Sequence, residues 1–183
     1  MGGTLSFYTF TVYTPKFLVN TAGFSNETAS AVCALALLVY MLLQPLIGLL
    51  SDFVGRRYVL LGFGVLGTLF TVPLMTAIGS ATSAVQAFSL IMLALVMVSG
   101  YTAVNAVVKA ELFPTHVRAL GVAFPYAVTV AVFGGSADYM AFWMKSIGHE
   151  SAFYWYVTAC TAISLVVYLV MPDTKRHSRI PPS

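Results

Sequence analysis

Charged side chains are scarce in this chain of 183 residues. Only 8% of its residues are Asp, Glu, Lys or Arg, against about 25% in an average soluble domain. So few charges cannot cover the water-facing surface of a folded domain, and 59% of the residues are hydrophobic. The composition therefore excludes a soluble enzyme, a nucleic-acid binder and a disordered regulator. It predicts a polytopic membrane protein with the lipid bilayer as its surroundings.

Cysteine and histidine are also sparse. Cys33 and Cys160 are the two cysteines, and both lie in apolar runs, which favours small buried hydrophobes over a disulfide. The three histidines are far apart and lack the spacing of metal ligands. The apolar runs hold no paired carboxylates or metal-binding cluster of the kind an intramembrane enzyme needs. We therefore predict no metal, no cofactor and no enzymatic activity.

The apolar residues form six stretches, each near or above the length needed to cross about 30 Å of hydrocarbon. Lipid cannot pair backbone polar groups and the stretches are too long for barrel strands, so we expect six transmembrane helices in an all-α fold. Pro15 and Lys16 interrupt the first of them. One bundle, residues 1–171, would precede a basic tail, residues 172–183. The predicted spans cover residues 3–20, 29–50, 58–78, 84–108, 119–143 and 151–171.

Lysine and arginine are distributed unequally between the two sides of these spans. One side carries seven of the nine: Arg56, Arg57, Lys109, Arg118, Lys175, Arg176 and Arg179. The other side carries only Lys16 and Lys145. The positive-inside rule predicts that the first side is cytoplasmic, with both termini there, in an inner or plasma membrane. Met1 lies almost inside the first span, which predicts that the chain is a part of something longer.

The loop between the second and third spans has an unusual pattern, in which a carboxylate lies among glycines and arginines. A topological role explains its arginines but not the spacing of Gly48, Asp52, Gly55, Arg56 and Arg57. This spacing resembles the loop signature of the major facilitator superfamily. The string KAELFPTHVRALG, with Glu111, Pro114 and Arg118, resembles the sequence after the fourth span in sugar-porter-like members. PDTK, residues 172–175, resembles the end of many of those proteins.

Strings outside these signatures, among them KFLVNTAG, FGGSADY and FYWYVT, resemble the metabolite:proton symporter family within that superfamily. The resemblance implies the C-terminal half, helices 7–12, of a twelve-helix transporter, with a separate N-terminal six-helix half as its partner. It implies proton-coupled symport of α-ketoglutarate or a related dicarboxylate by alternating access. It also implies a cytoplasmic latch formed by Gly48, Asp52, Gly55, Arg56, Arg57, Glu111 and Arg118. The alternative is a truncated, non-transporting membrane fragment that needs the N-terminal half for activity.

Two spans carry polar stripes. At 100° per residue, Ser6, Thr9, Tyr13 and Lys16 share a face of the first span, and such a stripe should face protein or a water-filled cavity. In the fourth span Tyr101, Asn105 and Lys109 share a face. Lys109 is predicted to anchor the span at the membrane edge and to pair with Glu111. The alternative is hydrogen bonding between helices. The predicted substrate contacts are Tyr8, Thr9, Tyr13, Lys16, Tyr101, Asn105 and Tyr126.

Asp138 is the only carboxylate well inside an apolar run. A charge at the bilayer centre costs about 2.5–3.5 kcal/mol on insertion scales, and Asp138 lies nearer one end, where the cost falls. It could form a structural ion pair with Lys16 or Lys145, which we favour, or it could couple transport to protons. Tyr40 and Gln44 of the second span, at four-residue spacing, could equally line a cavity or pack against a helix.

Overall fold

The computed structural model describes residues 1–112 and 118–171, with only the backbone of Leu112, Arg118 and Ala119. Pro114, the sequence PDTK and the predicted basic tail lie outside the described residues. Helices make up nearly all of the described chain, with π-helical turns at Thr9–Tyr13 and Val130–Gly134. The α-helices are α1 Gly2–Tyr8, α2 Thr14–Asn20, α3 Asn26–Val54, α4 Arg56–Gly79, α5 Ala84–Leu112, α6 Arg118–Thr129, α7 Ala137–Ser146 and α8 Glu150–Val170.

Five stretches of the described chain are helical, long and apolar enough to cross a membrane: Asn26–Val54, Arg56–Gly79, Ala84–Glu111, Leu120–Ser146 and Glu150–Val170. Their outer faces expose large apolar side chains, such as Phe53 at 84%, Leu69 at 61% and Val166 at 60%. A soluble protein rarely exposes contiguous apolar surface on this scale, whereas hydrocarbon solvates it. The prediction of an all-α membrane protein is confirmed.

The first helical stretch, residues 2–20, is divided by the π-helical turn Thr9–Tyr13. Pro15 follows that turn and has no N–H to donate, so the regular helical ladder is interrupted at this point. The second π-helical turn, Val130–Gly134, lies directly beside the first stretch. A Cβ atom on Gly134 would approach the Tyr8 ring to 2.7 Å, so glycine is needed for this contact.

The first stretch is also the centre of the core. Leu5, Phe10, Phe17 and Leu18 are at most 1% exposed. The reason is that α5 and α8 cover α1, α5 and α7 cover the π-helical turn, and α3 and α4 cover α2. Around it, α4 packs on α8 and α3 packs on α5. Small residues allow the helices to come close, as is common in membrane bundles.

The turn between α3 and α4 is a single residue, Gly55, with φ of 106° and ψ of 136°. Side chains of L-residues rarely adopt this conformation, which gives a physical reason for glycine at this position of the loop signature. Gly48 differs, because a Cβ there would meet no atom within 4 Å. The described residues therefore give no steric reason for glycine at position 48.

Candidate functional site

A cavity of about 390 Å³ opens between α1, α5, α6 and α8. Three of the predicted substrate contacts line it together: Tyr101 and Asn105 on α5, and Tyr126 on α6. Lys109, one helical turn beyond Asn105, lines the same wall. The spacing of four residues puts these α5 side chains on one face, as the sequence predicted.

The cavity is largely apolar, with a few polar groups directed into it. The Tyr101 hydroxyl shares a hydrogen bond of 3.0 Å with Thr4 Oγ1. Lys109 is the only charged side chain among the described residues that line the cavity. Its Nζ lies 3.9 Å from the centroid of the Tyr126 ring, a cation–π contact. The sequence alone indicates an anchor at Lys109, because its proximity to Tyr126 depends on how α6 folds back onto α5.

The polar stripe of the first stretch faces α8 rather than this cavity. Ser6 Oγ shares a hydrogen bond of 3.1 Å with Thr161 Oγ1, and the backbone N–H of Gly2 donates to Ser164 Oγ at 3.0 Å. Thr9 Oγ1 donates to the carbonyl oxygen of Leu5 on its own helix at 2.8 Å. The described residues thus favour helix packing, the alternative interpretation of this stripe.

Tyr8 and Tyr13 are also placed away from the cavity. Tyr13 is 1% exposed and lies in an aromatic cluster, with ring centroids 5.3 Å from Phe153 and 5.8 Å from Phe142. Tyr8 packs against Gly134 of the second π-helical turn. Tyr8, Thr9 and Tyr13 are not among the described residues that line this cavity, since Tyr13 packs against α7 and α8 and Tyr8 packs against the second π-helical turn. Their role in substrate contact stays a prediction.

Lys16 forms an ion pair with Asp138, at the start of α7. The two side chains are 47% and 28% exposed, so the pair is at the edge of the bundle and not in the cavity. Nearby, Lys145 Nζ lies 3.3 Å from Glu150 Oε1 and donates to the carbonyl oxygen of Asn20 at 2.8 Å. Both ion pairs lie at one end of the bundle, and both connect α7 to a neighbouring segment of the chain.

The opposite end carries a second polar cluster. Arg56 forms an ion pair with Glu111, with only 17% and 8% of the two side chains exposed. Arg56 Nη2 is also 3.5 Å from Asp52 Oδ1, and Arg57 Nη2 donates to the carbonyl oxygen of Leu169 at 2.5 Å. These contacts join α3, α4, α5 and α8. The side chain of Arg118, the last member of the predicted latch, lies outside the described residues.

Glu111 therefore pairs with Arg56 and not with Lys109, which corrects the expected pairing. Residues two apart on a helix point in different directions, so Glu111 and Lys109 do not share a face. This geometry leaves the Lys109 ammonium directed into the cavity.

Tyr40 and Gln44 join α3 to α5 through Thr102. The Tyr40 hydroxyl and Thr102 Oγ1 share a hydrogen bond of 2.6 Å, and Thr102 Oγ1 lies 3.0 Å from Gln44 Oε1, to which it donates. Of the two interpretations left open for this face, the structure favours helix packing. Thr102 carried no recognisable sequence signal, because its partners come from another helix.

The bundle is apolar, has a polar cluster at each end and contains a cavity. A comparison with known protein families identifies such a bundle. The profile described as Major Facilitator Superfamily matches residues 1–183. The chain belongs to the major facilitator superfamily. Its several apolar helices make this superfamily member a multi-pass membrane protein.

Among the relatives of this superfamily member, the alpha-ketoglutarate permease of Escherichia coli (strain K12) is 52% identical over 178 residues. The match covers 97% of this chain and 41% of the permease. The ectoine/proline transporter ProP of Corynebacterium glutamicum is 29% identical, with 92% of this chain and 34% of the transporter covered.

The citrate-proton symporter of Salmonella typhi is 29% identical, with 72% of this chain and 30% of the symporter covered. The chain thus spans about two fifths of the permease and about a third of the other two. No solved structure matches the chain.

Proposed function

We propose that this chain contributes the C-terminal six-helix half, helices 7–12, of a proton-coupled symporter for α-ketoglutarate or a related dicarboxylate. The N-terminal six helices would be its partner, and the two halves would alternate access to a site between them. The observation that carries the proposal is 52% identity, over nearly the whole chain, to the alpha-ketoglutarate permease of Escherichia coli. The citrate-proton symporter supports coupling of a carboxylate to protons.

The cavity supports the same substrate class. A dicarboxylate needs cationic and hydrogen-bond-donating groups, and this cavity offers Lys109, Asn105, Tyr101 and Tyr126 on adjoining helices. Its volume of about 390 Å³ lies within the range of roughly 300–1000 Å³ found for small-molecule pockets. We assign these residues to substrate contact. The polar cluster around Arg56 and Glu111 would be the latch on the cytoplasmic side.

The test is uptake of labelled α-ketoglutarate into proteoliposomes under an inward proton gradient. We expect uptake when the chain is reconstituted with the N-terminal half of the Escherichia coli permease, and none with either half alone. The reason is that this cavity offers one cationic side chain, Lys109, and a single cation cannot neutralise a dianion. Collapse of the proton gradient should reduce the uptake strongly.

The alternative function is a membrane fragment without transport activity. If co-reconstitution gives no uptake of α-ketoglutarate, malate or citrate, while each half is folded, the transporter proposal is contradicted and the fragment is preferred. Uptake by the chain alone would also contradict the proposed division of the site.

Asp138 is expected to hold α7 to the first stretch rather than to carry the transported proton. Because the pair with Lys16 is partly exposed, Asp138→Asn should lower the free energy of unfolding by about 1 kcal/mol or less. Uptake by the assembled transporter should keep its dependence on the proton gradient. Thermal unfolding in micelles and uptake at several external pH values measure the two effects.

The matched control is Lys16→Met, which removes the other partner and should give a similar loss of stability. The exchanged pair Lys16→Asp with Asp138→Lys should restore part of it. If Asp138→Asn instead abolishes the proton dependence while Lys16→Met does not, Asp138 is the coupling carboxylate and our assignment is wrong.

A further inference from the structure

We propose that Lys109 binds a carboxylate of the transported anion, and that the Tyr126 ring holds its ammonium group in place while the cavity is empty. The inference rests on the proposed function and names the group that would recognise the substrate's charge. The residues involved come from two helices, α5 and α6, and meet at the cavity wall.

Lys109 differs from the other lysines of the described chain in its partner. Lys16 has Asp138 within salt-bridge distance, and Lys145 has Glu150. Lys109 has instead the face of the Tyr126 ring, 3.9 Å from Nζ to the centroid. No carboxylate of the described residues lies within 4 Å of it, since Glu111 is engaged by Arg56. Its charge is therefore not neutralised by an acidic side chain in this part of the chain.

The Lys109 ammonium lies near the end of its span and has no acidic partner among the described residues. Lys109 lies within the candidate span Ala84–Glu111, is half-buried, and borders a cavity with mostly apolar walls. Charged residues inside membrane spans are rare and mark substrate or ion pathways. A carboxylate that entered the cavity would supply the missing counter-charge, and that is the chemistry of the proposed substrate.

The contact with Tyr126 suits a group that must exchange partners. A cation–π contact is weaker than a charge-assisted hydrogen bond to a carboxylate, so a ligand can replace it. Tyr126 is 45% exposed and lines the cavity. Asn105, one helical turn before Lys109 on α5, could donate a second hydrogen bond to the same anion.

The test measures binding and uptake of labelled α-ketoglutarate by the chain assembled with the N-terminal half of the Escherichia coli permease. Lys109→Gln should weaken equilibrium binding about 10- to 100-fold, the range for a lost charge-assisted hydrogen bond, and raise KM for uptake similarly. Lys109→Arg, which keeps the charge, should stay within a few-fold. Tyr126→Leu, which removes the hydroxyl that we assign to substrate contact, should also weaken binding.

The matched control is Lys145→Gln, which removes a lysine at the other end of the bundle and should leave binding unchanged. Thermal unfolding of each variant shows whether it is folded. If Lys109→Gln does not fold, Lys109→Met, which also removes the charge, takes its place and should weaken binding to a similar degree. If the parent assembly binds α-ketoglutarate and Lys109→Gln binds it equally well, the inference is wrong while the proposed function stands. If the parent assembly neither binds nor transports a dicarboxylate, the proposed function itself fails.

Discussion

Replacing Arg56 with leucine should lower the free energy of unfolding by about 3–5 kcal/mol, because it leaves the Glu111 carboxylate buried without its counter-charge. Only 8% of the Glu111 side chain is exposed, and its Oε2 has no hydrogen-bond partner among the described residues. Thermal or chemical unfolding of the purified protein in micelles measures the effect.

The double variant Arg56→Leu with Glu111→Leu separates this explanation from a general loss of packing. When both partners of a buried ion pair become apolar, the change is often neutral or even stabilising. We therefore expect the second substitution to restore most of the stability lost in the first. If the two losses simply add, the two side chains do not form the buried pair described here.

The same double variant also tests the proposed latch. A pair that only stabilises the bundle would be replaced fully by two leucines, and uptake by the assembled transporter would recover with stability. A pair that closes and opens during transport would not be replaced, because leucines cannot form and break an ion pair. We expect stable protein with low uptake.

The sequence predicted the helical bundle well because the bilayer leaves few alternatives for long apolar stretches. The loop signature was informative for a local reason, since Gly55 adopts a backbone conformation that favours glycine. The pairing of Asp138 with Lys16 or Lys145 was the favoured prediction, because few cations lie near the same end of the spans. For the apolar stretches and for Gly55 a short stretch of sequence contained the physical cause, whereas Asp138 and Lys16 are 122 residues apart.

The cavity was harder to predict. Tyr101 and Asn105 lie on its wall, as their shared helical face suggested, but the stripe with Thr9 and Tyr13 faces other helices. A polar stripe must avoid lipid, and both a cavity and a neighbouring helix satisfy that requirement. Helical periodicity shows which residues share a face, whereas the choice of neighbour depends on contacts more than a hundred residues away. The Ser6 contact with Thr161 is one such case.

The second large effect is expected at the contact between α4 and α8, from alanine at Gly64 and Gly67 together. A Cβ on Gly67 would lie 2.8 Å from Thr161 Cγ2, and one on Gly64 would lie 2.9 Å from Leu165 Cδ1 and 3.3 Å from Leu165 Cα. Thr161 cannot turn away freely, because its Oγ1 donates to the Val157 carbonyl oxygen at 2.9 Å. The helices must separate, so we expect a loss of about 1–3 kcal/mol.

Gly62 provides the control on the same helix, because a Cβ there would meet no atom within 4 Å. Alanine favours helix over glycine by about 1 kcal/mol at an exposed position, so Gly62→Ala should leave the protein unchanged or more stable. The contrast in sign between the two variants isolates steric contact from helix propensity, since all three substitutions replace glycine in α4. Equal melting temperatures for Gly62→Ala and the double variant would contradict the close approach of α8 to α4.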